Sequence, residues 1–295
     1  MSEQILAERF TNPAKPLICL EVNPPRGTEV EPIIRRLENQ LSGIDFLNVT
    51  DCALARMRLA ALPFGALLKQ RLGLEPLVNL SCRDRNLIAI QADLLAGWVL
   101  GVRSLVALTG DAVSVGDEPD RKGVFEVNSL GLLGAISTLN AGKDLAGNDL
   151  KGRPEFVAGA VVNPNANNTA AELKRLRRKK EAGAVYALSQ PVFEEQSARE
   201  FFSAAKEVGL PILMGLMALK TARALDGIVK GPGIKVADSI KKKVSESGDS
   251  HISRVSIEHC LKLAKANKQL VCGFHVISGT TPLLALELAQ ELTRS

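Results

Sequence analysis

The sequence has few aromatic residues, cysteines or histidines. Among 295 residues there are one Trp, one Tyr, nine Phe and three His. A surface that stacks single-stranded bases needs several aromatic rings, so this composition argues against nucleic acid as a partner. The five cysteines, Cys19, Cys52, Cys82, Cys260 and Cys272, form no C-x-x-C pair. Their odd number and scattered spacing argue against a disulfide framework and against a self-contained zinc or iron–sulfur centre. Four of them lie in or beside apolar runs, where a buried thiol is the default. His251 and His259 have no metal-ligand company and read as surface or helix residues. No Ser-His-Asp or Cys-His arrangement can be argued, and no metal is expected. The first residues lack a basic segment followed by an apolar one, so no secretory signal is expected. Charges or glycines interrupt every apolar run before it reaches a membrane span. The expected location is the reducing cytoplasm, with no membrane partner.

What is present is a balanced and fairly apolar chain. Hydrophobic residues make up 46%, and 37 basic against 32 acidic side chains leave a net charge of +5. This is enough apolar material for one large domain covering residues 1–295. The densest basic cluster, Lys174 to Lys180, holds six cations. It reads as a solvated helix face or as an attractor of an anionic cofactor or substrate.

Short β-type runs alternate with longer helical patterns throughout. The strands are read at Leu17–Val22, Ile44–Val49, Glu75–Leu80, Ser104–Leu108, Phe156–Val162, Ala184–Ser189, Pro211–Gly215 and Gln269–Val276. Several are unbroken apolar runs, as expected of parallel strands covered on both faces. Amphipathic stretches between them include Val30–Leu41, Arg85–Leu100, Thr169–Ala182 and Ser197–Val208, and Asn168–Thr169 with Glu172 looks like a capped helix start. Eight β/α units at this length indicate an α/β fold of the closed (β/α)8 TIM-barrel type. No G-x-G-x-x-G follows the first strand, which weakens an open dinucleotide-binding sheet. Two connections exceed what a barrel needs: Thr109 to Asn128, and the one containing Lys230-Gly231-Pro232-Gly233-Ile234.

Polar residues recur where strands end: Glu21, Thr50-Asp51, Asn79 with Ser81, Thr109-Gly110-Asp111, Asn163 and Gln190. In a barrel these ends meet at one mouth, and a carboxylate there is costly to bury unless it is paired or has chemistry to do. Arg83, Arg85 and Asn86 follow the third strand, where a helix N-terminus favours anions. His275, flanked by Phe274 and Val276, reads first as a hydrogen-bonded barrel histidine.

In this order the motifs resemble the methylenetetrahydrofolate reductase family, over essentially the whole chain. The matching segments are Glu21 with Pro24-Pro25-Arg26-Gly27; Asn48-Val49-Thr50-Asp51; Ser81-Cys82-Arg83-Asp84-Arg85-Asn86; Ala107-Leu108-Thr109-Gly110-Asp111; Val161-Val162-Asn163-Pro164; and Ser189-Gln190-Pro191-Val192-Phe193. The nearest form is the reductase domain fused in some bacteria to a homocysteine methyltransferase. The resemblance implies an FAD-bearing enzyme that reduces 5,10-methylenetetrahydrofolate to 5-methyltetrahydrofolate in one-carbon metabolism. It implies Glu21 as general acid and Asp111 as the carboxylate beside flavin and pterin. By the same likeness, Thr50, Asn79, Arg83, Arg85, Asn86, Thr109, Gly110, Asn163 and Lys179 fall on the cofactor side, and Gln190, Arg223 and His275 on the folate side. Three departures stand out. Asn79 replaces a usual His, Asn163 replaces an aromatic residue found in some members, and the final strand leads to Ser278-Gly279-Thr280-Thr281-Pro282 with no Arg in register. The electron donor implied is NADH or a partner protein, and the chain is expected to be a homo-oligomer or a subunit of a complex. Other readings are a folate-binding methyltransferase-type barrel and a flavin-bearing electron-relay subunit.

Overall fold

The computed structural model describes residues 3–294 apart from 222, 226–235 and 237–248. Eight parallel strands close into a barrel in sequence order. They are β1 Leu17–Val22, β2 Phe46–Val49, β3 Glu75–Ser81, β4 Ser104–Leu108, β5 Val157–Val162, β6 Tyr186–Pro191, β7 Ile212–Leu216 and β8 Gly273–Val276. β8 pairs with β1, with Cys19 opposite His275. The helices are α1 Glu3–Thr11, α2 Glu31–Leu37, α3 Ala61–Leu72, α4 Leu87–Val99, α5 Ser129–Asn140, α6 Thr169–Glu181, α7 Glu195–Lys206, α8 Asp249–Asn267 and α9 Pro282–Arg294.

Two apolar layers explain the unbroken strand hydrophobicity. Ile18, Leu20 and Val22 of β1 face outward into the layer shared with the helices, whereas Leu17 and Cys19 face into the barrel. Along the inner face the side chains change character. Leu17 and Cys19 give way to Glu21, Phe46 to Asn48, and Leu77 to Asn79. The barrel is therefore packed like a core at its N-terminal end and polar at its C-terminal end. In the packed layer the Tyr186 hydroxyl pairs with Ser104 Oγ at 2.9 Å and donates to the Leu105 carbonyl at 3.1 Å. A Cβ at Gly159 would fall 2.4 Å from the Tyr186 ring, so the tyrosine fits only against glycine.

An element absent from the sequence reading closes the packed end. Leu6 and Phe10 of α1, four residues apart on one helix face, are wholly buried. Phe10 stacks on Tyr186 (centroids 4.1 Å apart) and on Phe46 (5.0 Å). Arg9 pairs with Asp45 at 2.9 Å.

Element boundaries moved where an apolar run turned out to be a turn. The second strand begins at Phe46, because Asp45 uses its carboxylate to accept the Ile18 N–H at 2.9 Å. The eighth begins at Gly273, because Leu270 N–H closes a turn onto the Asn267 carbonyl at 2.8 Å. The start of α6 is only half the expected arrangement. Asn168 accepts from Ala171 N–H, but Glu172 accepts from Asn163 N–H. The segment Lys230–Ile234 lies outside the described residues. The five cysteines are free thiols. Among the described residues no helix is long and apolar enough to cross a membrane, and no group of His, Cys, Asp and Glu could hold a metal.

Candidate active site

The polar end of the barrel opens into a cavity of about 950 Å³. Seven of the eight strands contribute to its wall, through Glu21, Asn48, Asn79, Leu108, Val161, Gln190 and His275, and Met217 just after β7 completes it. Among the residues singled out in the sequence, Thr50, Arg83, Thr109, Gly110, Asp111, Asn163 and Lys179 also line it.

Glu21 sits where β1 meets the turn after β8. Its Oε1 accepts from Ser278 N–H at 3.1 Å, the Ser278 hydroxyl at 2.9 Å and Gly279 N–H at 3.2 Å. Burial raises its proton affinity above that of an ordinary glutamate, and the donors from Ser278 and Gly279 oppose that shift without cancelling it. On the next strands, Thr50 donates to Asn23 Oδ1 at 2.7 Å, and Asn48 donates to Asn79 Oδ1 at 2.7 Å.

His275 is buried, and neither ring nitrogen has a hydrogen-bond partner. This corrects the expectation of a bonded barrel histidine. Burial holds the imidazole neutral, its pKa lowered to about 4, against a smaller opposing influence from the Ser189 backbone. A neutral, unpaired imidazole in a cavity wall can give one hydrogen bond and accept another.

Asp111 lies at the rim and is exposed; its Oδ2 accepts Leu54 N–H at 2.8 Å. Gly110 makes this corner possible. It sits at φ 97°, and a Cβ there would fall 2.4 Å from Ser81 Oγ. Asp117 ties the neighbouring loops together, accepting from Arg26 at 2.5 Å and from Met57 N–H at 3.1 Å.

The basic stretch of α6 divides between two surroundings. Arg175, Arg178 and Lys179, spaced to share one helix face, line the cavity, while Lys174 and Arg177 are exposed outside its lining. Lys179 Nζ donates to the Val161 carbonyl at 2.6 Å, and burial lowers its pKa. Arg175 pairs with Glu172 at 2.7 Å.

Three expected site residues stand elsewhere. Arg85 does not line the cavity: it pairs with buried Asp51 at 2.7 Å and with Asp93 at 2.8 Å. Asn86 is the N-cap of α4, accepting from Ala89 N–H, and the adjacent free amide at Leu87 donates to Glu126 at 2.7 Å. The anion-favouring helix end is thus filled by the chain itself. Arg223 is exposed and outside the lining. Arg83 borders the cavity, but its guanidinium is forked onto Asp84 at 2.9 and 2.7 Å. Conversely, Arg175 and Arg178 in the lining, and Asn23 and Ser278 hydrogen-bonded around Glu21, were not singled out as site residues. The arginines could have been found from their helical spacing to Lys179. Ser278 could have been found by treating the eighth strand end like the first six.

A protein-family model described as methylenetetrahydrofolate reductase matches residues 6–290. A 5,10-methylenetetrahydrofolate reductase of Salmonella typhimurium is 27% identical over 197 residues, covering 66% of this chain and 61% of that protein. The chain thus spans less than two thirds of that relative's length. A protein of the same name from Pectobacterium carotovorum is 25% identical over 223 residues, covering 74% of this chain and 70% of its own. Among solved structures, a Yersinia pestis DHPS aligns over 95% of this chain and 94% of its own, with 11% identity and a TM-score of 0.49.

Proposed function

The chain belongs to the methylenetetrahydrofolate reductase family, and on that premise we propose that its barrel mouth binds FAD and a folate and reduces 5,10-methylenetetrahydrofolate to 5-methyltetrahydrofolate. The observation that carries this reading is Glu21, a half-buried carboxyl in the wall of a large polar cavity, its proton affinity raised by desolvation.

The residues present fit a flavin dinucleotide. The cavity is of cofactor size, and the Arg175–Arg178–Lys179 face supplies positive charge for a diphosphate. Thr50, Asn79, Thr109, Gly110 and Asn163 offer hydroxyl, amide and close-approach backbone around the mouth. His275 has two ring nitrogens without partners. When bound, reduced FAD supplies the hydride.

The remaining steps fall to the chain's own groups. Glu21 donates a proton to the folate ring nitrogen whose bond opens, which needs a carboxyl still protonated near neutral pH. Asp111, fixed at the rim by Leu54 N–H, places negative charge where it disfavours the anionic reduced cofactor and so tunes its potential. The Gln190 side chain is exposed in the cavity wall. Its amide, both donor and acceptor, suits a pterin edge. Electrons enter from NADH or from a partner protein.

The test uses purified protein. A flavin absorption band and oxidation of methyltetrahydrofolate by an artificial acceptor are expected. Glu21→Gln should keep the flavin and lose turnover by about 10²–10⁴-fold. A chain unable to take up FAD, or full activity in Glu21→Gln, overturns the reading. Anaerobic mixing with NADH then decides the donor, since rapid bleaching excludes a route restricted to a partner protein.

A further inference from the structure

Glu21 is held almost entirely by the turn after β8. All three bonds to that turn fall on Oε1. The Ser278 hydroxyl is itself oriented: Asn23 Nδ2 donates to it at 3.0 Å and to the Gly279 carbonyl at 3.1 Å. A hydroxyl has a single proton, so with a lone pair facing Asn23 that proton is directed to Glu21. Asn23 Oδ1 in turn accepts from Thr50. Each donor in the series Thr50, Asn23, Ser278 points toward the carboxyl. The turn is fixed from behind by Ile277 N–H on the Leu216 carbonyl and Thr281 N–H on the Ser278 carbonyl, both at 2.8 Å.

Building on the reading of Glu21 as the acid, we propose that Ser278 is its positioning residue: oriented by Asn23 and Thr50, it pins Oε1 and leaves Oε2 to carry the proton over the cavity. The series polarises the carboxyl but does not conduct protons, because the amide of Asn23 does not hand a proton on. The ionisable groups around Glu21 are Cys19 on its own strand, His275 on β8, Asp51 beyond β2, and Arg83, Asp111, Glu172, Arg175, Arg178 and Lys179 around the cavity. At Glu21, burial and these hydrogen bonds outweigh all of them.

Infrared titration of the full-length chain reads the carboxyl directly. The protonated-carboxyl band of Glu21 is assigned by its absence in Glu21→Gln. Removing a donor to the ionised form raises proton affinity. Ser278→Ala should therefore move the band's midpoint up by about one pH unit, a tenfold change. Ser278→Thr should restore it, and Asn23→Ala should shift it the same way by less. In the reductive direction the alkaline limb of kcat should follow the midpoint, while KM for the folate changes less than about twofold. An unchanged midpoint in folded Ser278→Ala overturns the proposal; if that variant does not fold, an unchanged midpoint in Asn23→Ala does so. A normal midpoint shift combined with full turnover in Glu21→Gln would sink the acid assignment and leave the positioning role intact.

Discussion

At position 21 burial favours the neutral carboxyl, while three donors on one oxygen favour the anion. Burial prevails, and this has a consequence for stability as well as chemistry. A carboxyl whose folded-state pKa is raised contributes fully below its unfolded value and loses that contribution as pH rises through the folded one. Glu21→Gln should therefore raise the urea midpoint at pH 8 relative to the parent chain, even as it removes turnover. His275 has the opposite sign. Its folded pKa is lowered to about 4, so between the ordinary histidine value and about 4 the unfolded chain binds the extra proton and stability falls with acidity. Replacing it by Gln should flatten the stability–pH curve in that window by on the order of 3 kcal/mol, measured as the change in slope. Both residues could be read from the sequence as inward-facing polar positions. Their surroundings could not, because Ser278 and Asn23 around Glu21 and Ser189 near His275 are remote in the chain or on other strands.

At the scale of elements, α6 shows how a charge cluster acquires direction. Its six cations lie within seven residues broken only by Leu176, and helical phase decides which of them reach the cavity. Lys179→Ala and Arg178→Ala should each weaken FAD binding by about tenfold or more, whereas Lys174→Ala, on the exposed face, should leave it within about twofold. Equal losses at all three positions would refute a directed face. Helix phase was legible here, since the run of apolar and charged residues fixes the register. The role of Arg85 was not, because its carboxylate partners come from the end of β2 and from the middle of α4. The helix-start motif around Asn168 was half legible: the cap is local, but Glu172 bonds to Asn163 across the preceding loop. A glycine at 110 follows from local geometry, and Gly110→Ala should cost about 1–3 kcal/mol through the left-handed backbone and the contact with Ser81.

For the molecule as a whole, the closed barrel was legible from eight alternating units, and the inner gradient from apolar to polar places the chemistry at one end. The closure of the other end was not foreseen. Nothing in residues 3–11 marks them as a floor except an i, i+4 pair of apolar side chains, and that spacing is common on any helix. The packing is extensive all the same. Phe10→Ala should destabilise the chain by about 3–5 kcal/mol, seen as a lower denaturant midpoint with the cavity chemistry unchanged in the fraction still folded.

That floor bears on the order in which the chain can be completed during synthesis. α1 precedes all eight strands, yet the ring it stacks on, Tyr186, opens the sixth of them, with five strands lying between. A helix docked in this way must wait, apolar on one side, for a contact of very high sequence separation. A chaperone that shields nascent helices would meet this protein at α1, before the strands that build the catalytic mouth have closed.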